Sequence, residues 1–271
     1  MTPRLTEVRT TSGADIIIDG DVVTKIHRAG TDPVALAARL QAAARLGAGD
    51  GPLLAPLSAN LDPAPEQRWM TRWPRVSTVA RNPGRLPWGP AGGVLAVLHA
   101  REIDGTALPG HRAVDRIRGA LQRLPADAPP IIRAAAQALP PRAWETSPRD
   151  RPAAVVHGDF HLGQLGRRAG GPWQLIDIDD LGIGDPAWDL ARPAGFWAAG
   201  LIPHDHWQEF IDGYRSGLGP ALPATGDPWV VLEPLARAAV VHAAAVGARY
   251  PADESQVELL GACRRMLGEV N

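Results

Sequence analysis

Residues 157–189 are the segment of this 271-residue sequence that is richest in candidate catalytic and metal-binding side chains, with two histidines and six aspartates. Two short apolar runs, AAVV before His157 and WQLI before Asp177, lead into these side chains and are typical of β-strands. An unpaired buried carboxylate is costly, so aspartates at strand ends usually bind a cation or accept backbone hydrogen bonds. The segment therefore predicts a polar site at the ends of two strands.

The ligand types available in this segment favour magnesium. Asp177 and Asp179 are two residues apart, so on a β-strand their side chains point to the same side of the sheet. Carboxylates with a nearby glutamine offer only oxygen ligands, which suit Mg²⁺ better than Zn²⁺. The single cysteine, Cys263, excludes a multi-thiolate metal site and an intrachain disulfide framework.

The front of the chain is predicted to be rich in β-structure. Residues 15–27 form two short β-prone runs separated by Asp-Gly-Asp, which is a hairpin signal. A helix is predicted from Pro33 to about Gly47, and further strands over 52–62 and 67–79. Lys25 lies on the second strand of the hairpin and is the one lysine among 28 basic residues. An ammonium is a compact point charge, so this position is a candidate for a role that arginine does not fill.

The remainder of the chain is predicted to be mainly helical. The expected helices cover 90–100, 111–124, 129–139 and most of the chain after about residue 186, with a proline- and arginine-rich loop over 140–152. A small β-rich front and a large helical back suggest two lobes, and the cleft between two lobes is a common ligand site.

The motif HGDFHLGQ, residues 157–164, followed by IDIDDLGIGDPAWDLA, residues 176–191, resembles the signature of the aminoglycoside phosphotransferase family. The usual pattern of that family is HGDxxxxN, then an Asp on the next strand, then GDPxxDLA. The resemblance implies an α+β, bilobal protein-kinase-like fold. A small β-rich N-lobe with one main helix would cover residues 1–75, with a hinge near 71–76. A larger, mostly helical C-lobe would cover 76–271.

The same resemblance assigns roles in the catalytic loop. Asp159 corresponds to the catalytic aspartate that accepts the proton of a substrate hydroxyl. His157 is expected to tie this loop to the strand over 175–180 that carries Asp177. Asp189 is expected to brace the loop from the following helix.

The resemblance also implies that the cofactors are ATP and Mg²⁺. Asp177 would be the main magnesium ligand, with Asp179 or Asp180 in support directly or through water. Gln164 stands at the position of the metal-binding Asn, and its longer side chain offers the same amide oxygen.

Lys25 would hold the ATP phosphates. The family pairs this lysine with a glutamate on the next helix, but no acid occurs from Pro33 to Gly49. The expected position falls near Gln41, so Lys25 would be held by Gln41 or by an aspartate elsewhere.

The sequence signals for the phosphate loop and the adenine site are weaker than the motif over 157–191. The stretch TSGAD, residues 11–15, is either a short phosphate loop using Ser12 and Gly13 or a plain turn. The resemblance places adenine against backbone groups near Thr71, Arg72 and Trp73. The sequence contains no GxxxxGK[ST] motif, which excludes a P-loop NTPase.

Charge and composition limit the partners. The formal net charge of −1 gives no overall attraction to nucleic acid or an anionic membrane. No signal-peptide pattern is visible at the N-terminus, and no apolar run was expected to approach the roughly 18 residues that span a bilayer. The expected location is cytoplasmic and the expected partner is a small hydroxylated molecule.

The acceptor would be recognised by the helical lobe, roughly residues 196–262. This region holds eight acidic residues against three arginines, which favours a cationic amino sugar or an aminoglycoside-type antibiotic. The HGDxHLGQ variant resembles the maltokinase and glucosamine-kinase branch, so a neutral sugar is the alternative. A nucleotide-binding pseudokinase and a metal-dependent hydrolase built on His157, Asp159, His161 and Asp177 are the other readings that the sequence leaves open.

Overall fold

In the computed structural model, which describes residues 6–10, 13–79, 86–102 and 107–269, a β-rich front precedes a mostly helical back. The strands are β1 (Thr6–Arg9), β2 (Asp15–Asp19), β3 (Val22–Ile26), β4 (Asp62–Ala64), β5 (Arg68–Pro74), β6 (Ser77–Thr78), β7 (Ala154–Val156), β8 (Leu165–Arg167), β9 (Gln174–Leu175) and β10 (Gly182–Gly184). The helices are α1 (Pro33–Leu46), α2 (Trp88–His99), α3 (Ala113–Gln122), α4 (Pro130–Gln137), α5 (Ala187–Ala198), α6 (His204–Ser216), α7 (Trp229–Gly247) and α8 (Glu254–Met266).

The front of the chain forms an antiparallel sheet with the strand order β1-β2-β3-β5-β4. The predicted hairpin turn lies between β2 and β3, where Gly20 adopts a left-handed φ of 57° that suits a glycine. The register places Lys25 on β3 opposite Thr71 on β5. The sheet therefore fixes the position of the lysine from both sides.

Helix α1 begins where the sequence predicts it. The Asp32 side chain accepts hydrogen bonds from the backbone N–H groups of Val34 and Ala35, and Pro33 occupies the first turn. Leu36 and Leu40 are buried on its inner face. These two side chains are four residues apart, so they form one apolar face that the helix buries.

Two predicted strands of the front are interrupted. The expected strand over 52–62 is irregular up to β4, and the expected strand over 67–79 divides into β5 and β6 at Pro74. Proline has no N–H to donate to a sheet ladder, and Pro52 and Pro56 interrupt the first of these runs.

The irregular segment before β4 instead docks the front onto the back. The backbone N–H of Leu54 donates to the carbonyl of Leu175 in β9. The Gln174 amide donates to the carbonyl oxygens of Gly51 and Leu53. These contacts continue the buried core from α1 into the helical part.

Close helix packing organises the back of the molecule. Helix α2 packs on α6, and α5 packs on α7. A Cβ at Gly92 would lie 2.1 Å from the Phe210 carbonyl oxygen, and a Cβ at Gly195 would lie 2.7 Å from that of Ala236. Only glycine permits this backbone approach, which brings Phe210 and Leu190 into one apolar core.

The sequence prediction that no apolar run approaches membrane-spanning length is wrong for α7. Its 19 residues, Trp229–Gly247, have a mean hydropathy of 1.5 and meet the length and composition criteria for a span. The helix contacts α5, α8 and α3, and it carries an ion pair of 2.6 Å between Glu233 and Arg237. A buried core helix meets the same criteria.

Strand β9, which was predicted to carry Asp177, is shorter than the expected strand over 175–180. It ends at Leu175, and residues 176–181 leave the sheet. Asp177 has a left-handed φ of 64°, a conformation that is uncommon outside glycine and that clusters at functional sites. Asp177 and Asp179 therefore do not lie on a strand as predicted, although both side chains contact Lys25.

Candidate active site

Lys25 extends from the sheet to the segment that follows β9. Its Nζ lies 2.8 Å from Asp177 Oδ1 and 2.8 Å from Asp179 Oδ2. The lysine is 9% exposed, so both ion pairs form at the edge of the protein interior. Two separate parts of the sequence, each singled out for its chemistry, thus meet at one point.

The charges at this point stabilise one another. Burial acts to lower the pKa of Lys25, but Asp177 and Asp179 outweigh it and raise that pKa above its ordinary value. Burial likewise opposes ionisation of Asp179, but the hydrogen bond from His27 and the charge of Lys25 hold its pKa below the usual range. Both shifts favour the charged forms, so Lys25 and Asp179 are each charged at neutral pH.

His27 supports this cluster, and sequence analysis did not identify it. Its Nδ1 lies 3.3 Å from Asp179 Oδ1, and its Nε2 lies 3.0 Å from Thr71 Oγ1. The same threonine oxygen accepts a hydrogen bond of 2.9 Å from Trp73 Nε1. His27 follows Lys25 by two residues, so their shared face of the extended chain was the available signal.

Asp159 lies at a second charged cluster, on the loop after β7. Its Oδ1 accepts a hydrogen bond of 2.6 Å from Arg116 and lies 3.7 Å from an Arg192 guanidinium nitrogen. Arg116 also contacts Asp180 and the carbonyl oxygen of Gly158. Burial raises the pKa of Asp180, and the nearby Asp159 charge adds to this rise against the opposing effect of Arg116. The two arginines orient the Asp159 carboxylate.

Asp189 anchors the loop that carries Asp159. Its carboxylate accepts hydrogen bonds from the backbone N–H groups of His157 and Gly158, at 2.6 and 2.8 Å. It also contacts His99 Nε2 at 2.9 Å, and His99 Nδ1 lies 2.8 Å from the Tyr214 hydroxyl. Asp189 is 1% exposed, so this chain of contacts ties the loop to α2 and α6 inside the core.

His157 connects the two loops of the site. Its Nε2 donates a hydrogen bond of 2.8 Å to the carbonyl oxygen of Ile176, the residue before Asp177. The carbonyl of Gln164 accepts from the Ile176 N–H at 2.9 Å. The backbones of the three segments that hold Asp159, Gln164 and Asp177 are therefore linked directly.

The residues present fit a magnesium ion that is shared with phosphate oxygens. Asp177 and Asp179 keep 39% and 40% of their side chains exposed, so oxygen atoms remain accessible beside Lys25. Among the described residues no group of three acidic, histidine or cysteine side chains forms a complete protein-only metal cage. Mg²⁺ commonly binds through one or two carboxylates together with substrate phosphates, which is what this donor set offers.

Of the two partners expected for Lys25, Gln41 or an aspartate elsewhere, the structure shows aspartates. Gln41 is exposed on the outer face of α1, and the partners of Lys25 are the aspartates after β9. The helix instead reaches the site through Arg39, whose Nε donates 2.9 Å to the Leu181 carbonyl oxygen. Sequence analysis missed Arg39 because it searched this helix for an acid.

Arg72 and Gly13 were predicted to lie at the adenine and at the phosphate loop, and the structure describes the surroundings of both. The Arg72 carbonyl oxygen already accepts from the Leu57 N–H, and its side chain lies 3.5 Å from Asp62. This bond takes one of the two acceptor positions of that carbonyl oxygen. Gly13 has a left-handed φ of 86° in the turn between β1 and β2, while Ser12 lies outside the described residues.

A cavity of about 630 Å³ opens beside Asp159 in the helical part. Phe160, Trp188 and Phe196 supply aromatic surface to its wall. Of the eight acidic residues between 196 and 262 that suggested a cationic acceptor, only Asp253 lines it. The excess of acid in that region does not extend to this cavity.

The arrangement as a whole defines a protein-kinase-like phosphotransferase. The sheet at the front of the chain contributes Lys25. The back of the chain contributes Asp177, which contacts that lysine, and the loop that carries Asp159 beside the cavity. Residues 16–229 match the model of the phosphotransferase enzyme family, APH, and the chain belongs to this family. Comparison with the curated proteins gives no match.

Solved structures share the fold at low sequence identity. The amicoumacin kinase hAmiN is 13% identical, with a TM-score of 0.68 over 98% of this chain and 88% of that chain. A thermostable mutant of aminoglycoside phosphotransferase APH(4)-Ia is 15% identical, with a TM-score of 0.64 over 98% and 94%. A choline/ethanolamine kinase family protein from Mesorhizobium loti is 18% identical, with a TM-score of 0.54 over 99% and 88%. These similarities establish the protein-kinase-like fold.

Proposed function

We propose that this protein transfers the γ-phosphoryl group of Mg-ATP to a hydroxyl group of a small molecule. The observation that carries the proposal is the direct contact of Lys25 with Asp177, at 2.8 Å, beside a loop whose Asp159 faces a cavity. Similar structures support the nucleotide: hAmiN is described in complex with AMP-PNP, Ca²⁺ and Ami, and an APH(4)-Ia mutant with AMP-PNP and hygromycin B.

On the nucleotide side, Lys25 would bind the α- and β-phosphates with its ammonium. Magnesium, held by Asp177 with Asp179 and the Gln164 amide, would neutralise charge on the phosphate oxygens. Thr71 and Trp73 would lie close to the adenine end, because β5 leads from Lys25 towards the helical part. Ser12 and Gly13 are proposed to close over the phosphates.

On the acceptor side, Asp159 would act as the base. The acceptor hydroxyl oxygen forms a bond to the γ-phosphorus while the bond from that phosphorus to the β–γ bridging oxygen breaks. The hydroxyl proton passes to the Asp159 carboxylate, and ADP leaves with the bridging oxygen. His157 and Asp189 would keep this carboxylate in place through the contacts of their loop.

The acceptor expected from the sequence is an amino sugar or an aminoglycoside, and a neutral sugar is the alternative. A hydroxyl group is the feature that these molecules share, and it is the only feature that Asp159 requires. A cytoplasmic location, where ATP is abundant, belongs to the same proposal.

The test is release of ADP from Mg-ATP across a panel of sugars and aminoglycosides. Asp159→Ala should lower kcat at least about a hundredfold, the usual scale of lost general-base catalysis. The exposed Asp212 on α6 provides a matched control, and Asp212→Ala should behave as wild type. Turnover that survives Asp159→Ala would remove the catalytic assignment.

Two other outcomes identify the alternatives. Binding of Mg-ATP without turnover of any neutral, cationic or anionic acceptor would indicate a pseudokinase. Phosphoester cleavage in the absence of nucleotide would indicate a hydrolase.

A further inference from the structure

The cavity beside Asp159 has more positive than negative charge on its wall. It is lined by four arginines and two aspartates: Arg116, Arg123, Arg192, Arg249, Asp159 and Asp253. Arginine stays protonated in proteins, so this charge is permanent. Burial and the Arg116 charge lower the pKa of His242, which also lines the cavity, to about 4, so this histidine is neutral at pH 7.

The arginines fall into an inner and an outer pair. The inner pair, Arg116 and Arg192, contacts Asp159 and compensates its charge. The outer pair, Arg123 and Arg249, is exposed to solvent at the cavity. Within the part of the chain that the structure describes, no carboxylate lies at ion-pair distance from either outer arginine. The remaining acid, Asp253, accepts the Gln256 N–H at 2.9 Å as the cap of α8.

The outer arginines belong to the acceptor side of the site. None of the cations and carboxylates that meet at Lys25 is among the described residues lining this cavity. The wall comes from the helical part of the chain, starting at Ala113. Phosphates bound at Lys25 therefore do not account for the charge of Arg123 and Arg249.

Resting on the proposed function, we propose that the acceptor is a hydroxylated small molecule that carries a carboxylate or phosphate group. Arg249 and Arg123 bind that anionic group while the hydroxyl reaches Asp159. A guanidinium fork matches both groups through paired hydrogen bonds. The anionic group is unchanged in the reaction, since only the hydroxyl O–H bond and the γ-phosphate bond are altered.

The cavity charge opposes the alternative acceptors. A polycationic aminoglycoside would meet four guanidinium groups against two carboxylates. Like charges brought together in a partly desolvated site disfavour binding. A neutral sugar would bring no negative charge to the outer arginines, so it would bind through the aromatic surface and the inner groups alone.

The experiment uses matched sets of compounds that differ in charge on one skeleton. The hexose set is glucose, glucosamine, glucuronate and glucose 6-phosphate, and the three-carbon set is glycerol, serinol, glycerate and glycerol 3-phosphate. ADP release from Mg-ATP gives kcat/KM for each compound, and calorimetry in the presence of Mg-AMP-PNP gives its affinity. The variants are Arg123→Gln and Arg249→Gln, with Arg118→Gln as the control, since Arg118 is exposed on α3 and does not line the cavity.

We expect the anionic member of a set to exceed the neutral and cationic members at least about tenfold in affinity or kcat/KM. Each outer variant should reduce the anionic-to-neutral ratio about tenfold, chiefly through KM, and Arg118→Gln should leave the ratio unchanged. Glucuronate and glycerate separate carboxylate recognition from phosphate recognition. A preference for the neutral or cationic member, absence of binding by every anionic member, or a ratio unaffected in both outer variants overturns the inference.

The two proposals fail differently. Failure of the wild-type chain to bind Mg-AMP-PNP would count against the proposed function. Nucleotide binding that persists without a preference for anionic acceptors would count against the arginine assignment alone.

Discussion

Lys25 on β3 and Asp179 after β9 form an ion pair with 2.8 Å between Nζ and Oδ2. Together with the Asp177 contact, this pair joins the sheet to the loop that would hold magnesium. The single positive charge of the lysine offsets part of the repulsion between the two carboxylates. A cation bound from solution should replace part of this electrostatic compensation of Asp177 and Asp179.

Lys25→Met tests this electrostatic role. The variant keeps an unbranched side chain but leaves Asp177 and Asp179 facing each other, so the metal-free protein should lose about 1–2 kcal/mol of unfolding free energy. This figure is reduced from that of a fully buried pair because the carboxylates are partly exposed. Added MgCl₂ should raise the melting temperature of Lys25→Met more than that of wild type. Urea unfolding and thermal melting, each with and without MgCl₂, measure both effects.

Under the proposed function the same variant should lose ATP turnover, because the phosphates would lose the ammonium proposed to bind them. Lys25→Arg retains the positive charge and should respond to MgCl₂ as wild type does. If Lys25→Met and wild type gain equally from magnesium, the two carboxylates do not form the metal site.

Arg39 provides the second test, because it connects α1 to the site in place of the acid that the family uses. Arg39→Met removes the hydrogen bond to the Leu181 carbonyl and releases the loop that holds Asp177 and Asp179. We expect KM for Mg-ATP to rise about tenfold, the usual scale for groups that orient metal ligands. Steady-state kinetics over ATP concentration measure the change. Gln41→Ala on the same helix is the control, and an equal effect there would restore the sequence-based assignment.

Much of the fold was predictable because its signals are local. The hairpin around Gly20 and the start of α1 at Asp32 and Pro33 follow from turn and capping chemistry within a few residues. The bilobal kinase-like architecture followed from one motif over 157–191. The strand over 52–62 was wrong because apolar composition was weighed above the prolines. Helix α7 was predicted as a helix, but its membrane-spanning length was not, because a charged pair interrupts an otherwise apolar run.

The site was predictable where its residues lie in that motif, and at Lys25, which stands out as the one lysine of the chain. The motif identified Asp159, Asp177 and Asp189 as candidate site residues and gave their order along the chain. Arg116 could not, because it comes from α3 and nothing local distinguishes it from the other arginines of the chain. Pairings of this kind depend on tertiary packing, which also determined that aspartates rather than Gln41 hold Lys25.

Asp189→Asn tests the buried anchor of the catalytic loop. Burial opposes its charge, but the hydrogen bond from His99 and the loop N–H groups lower the pKa of Asp189. A carboxyl with a folded-state pKa below its unfolded value of about 3.9 adds stability above that pH. This contribution is lost as the pH falls through the folded-state pKa. Asp189→Asn should therefore cost about 3 kcal/mol at pH 7, and the difference from wild type should shrink below about pH 4.

Urea unfolding of both proteins across that pH range gives the difference directly. A cost that is constant with pH would mean that the side chain acts by shape and hydrogen bonding, without a contribution from its charge.

Gly158, between His157 and Asp159, offers the sharpest steric test. Its φ is 84°, and a Cβ there would lie 2.2 Å from the Asp180 carbonyl oxygen. Gly158→Ala therefore has to move either the loop that carries Asp159 or the segment of Asp180. A displacement of about 1 Å at a reacting group costs roughly a hundredfold in rate, so kcat should fall by at least that factor.

Gly170 separates this clash from backbone strain. Its φ is 72°, and nothing lies within 4 Å of the position of its Cβ. Both alanine variants pay about 1 kcal/mol for a left-handed backbone, but only Gly158→Ala meets a neighbour. Gly170→Ala should consequently lose stability in urea unfolding while keeping wild-type kcat. Equal kcat in the two variants would show that the loop absorbs the methyl group without moving Asp159, and that the close approach of Gly158 to Asp180 does not set the position of the base.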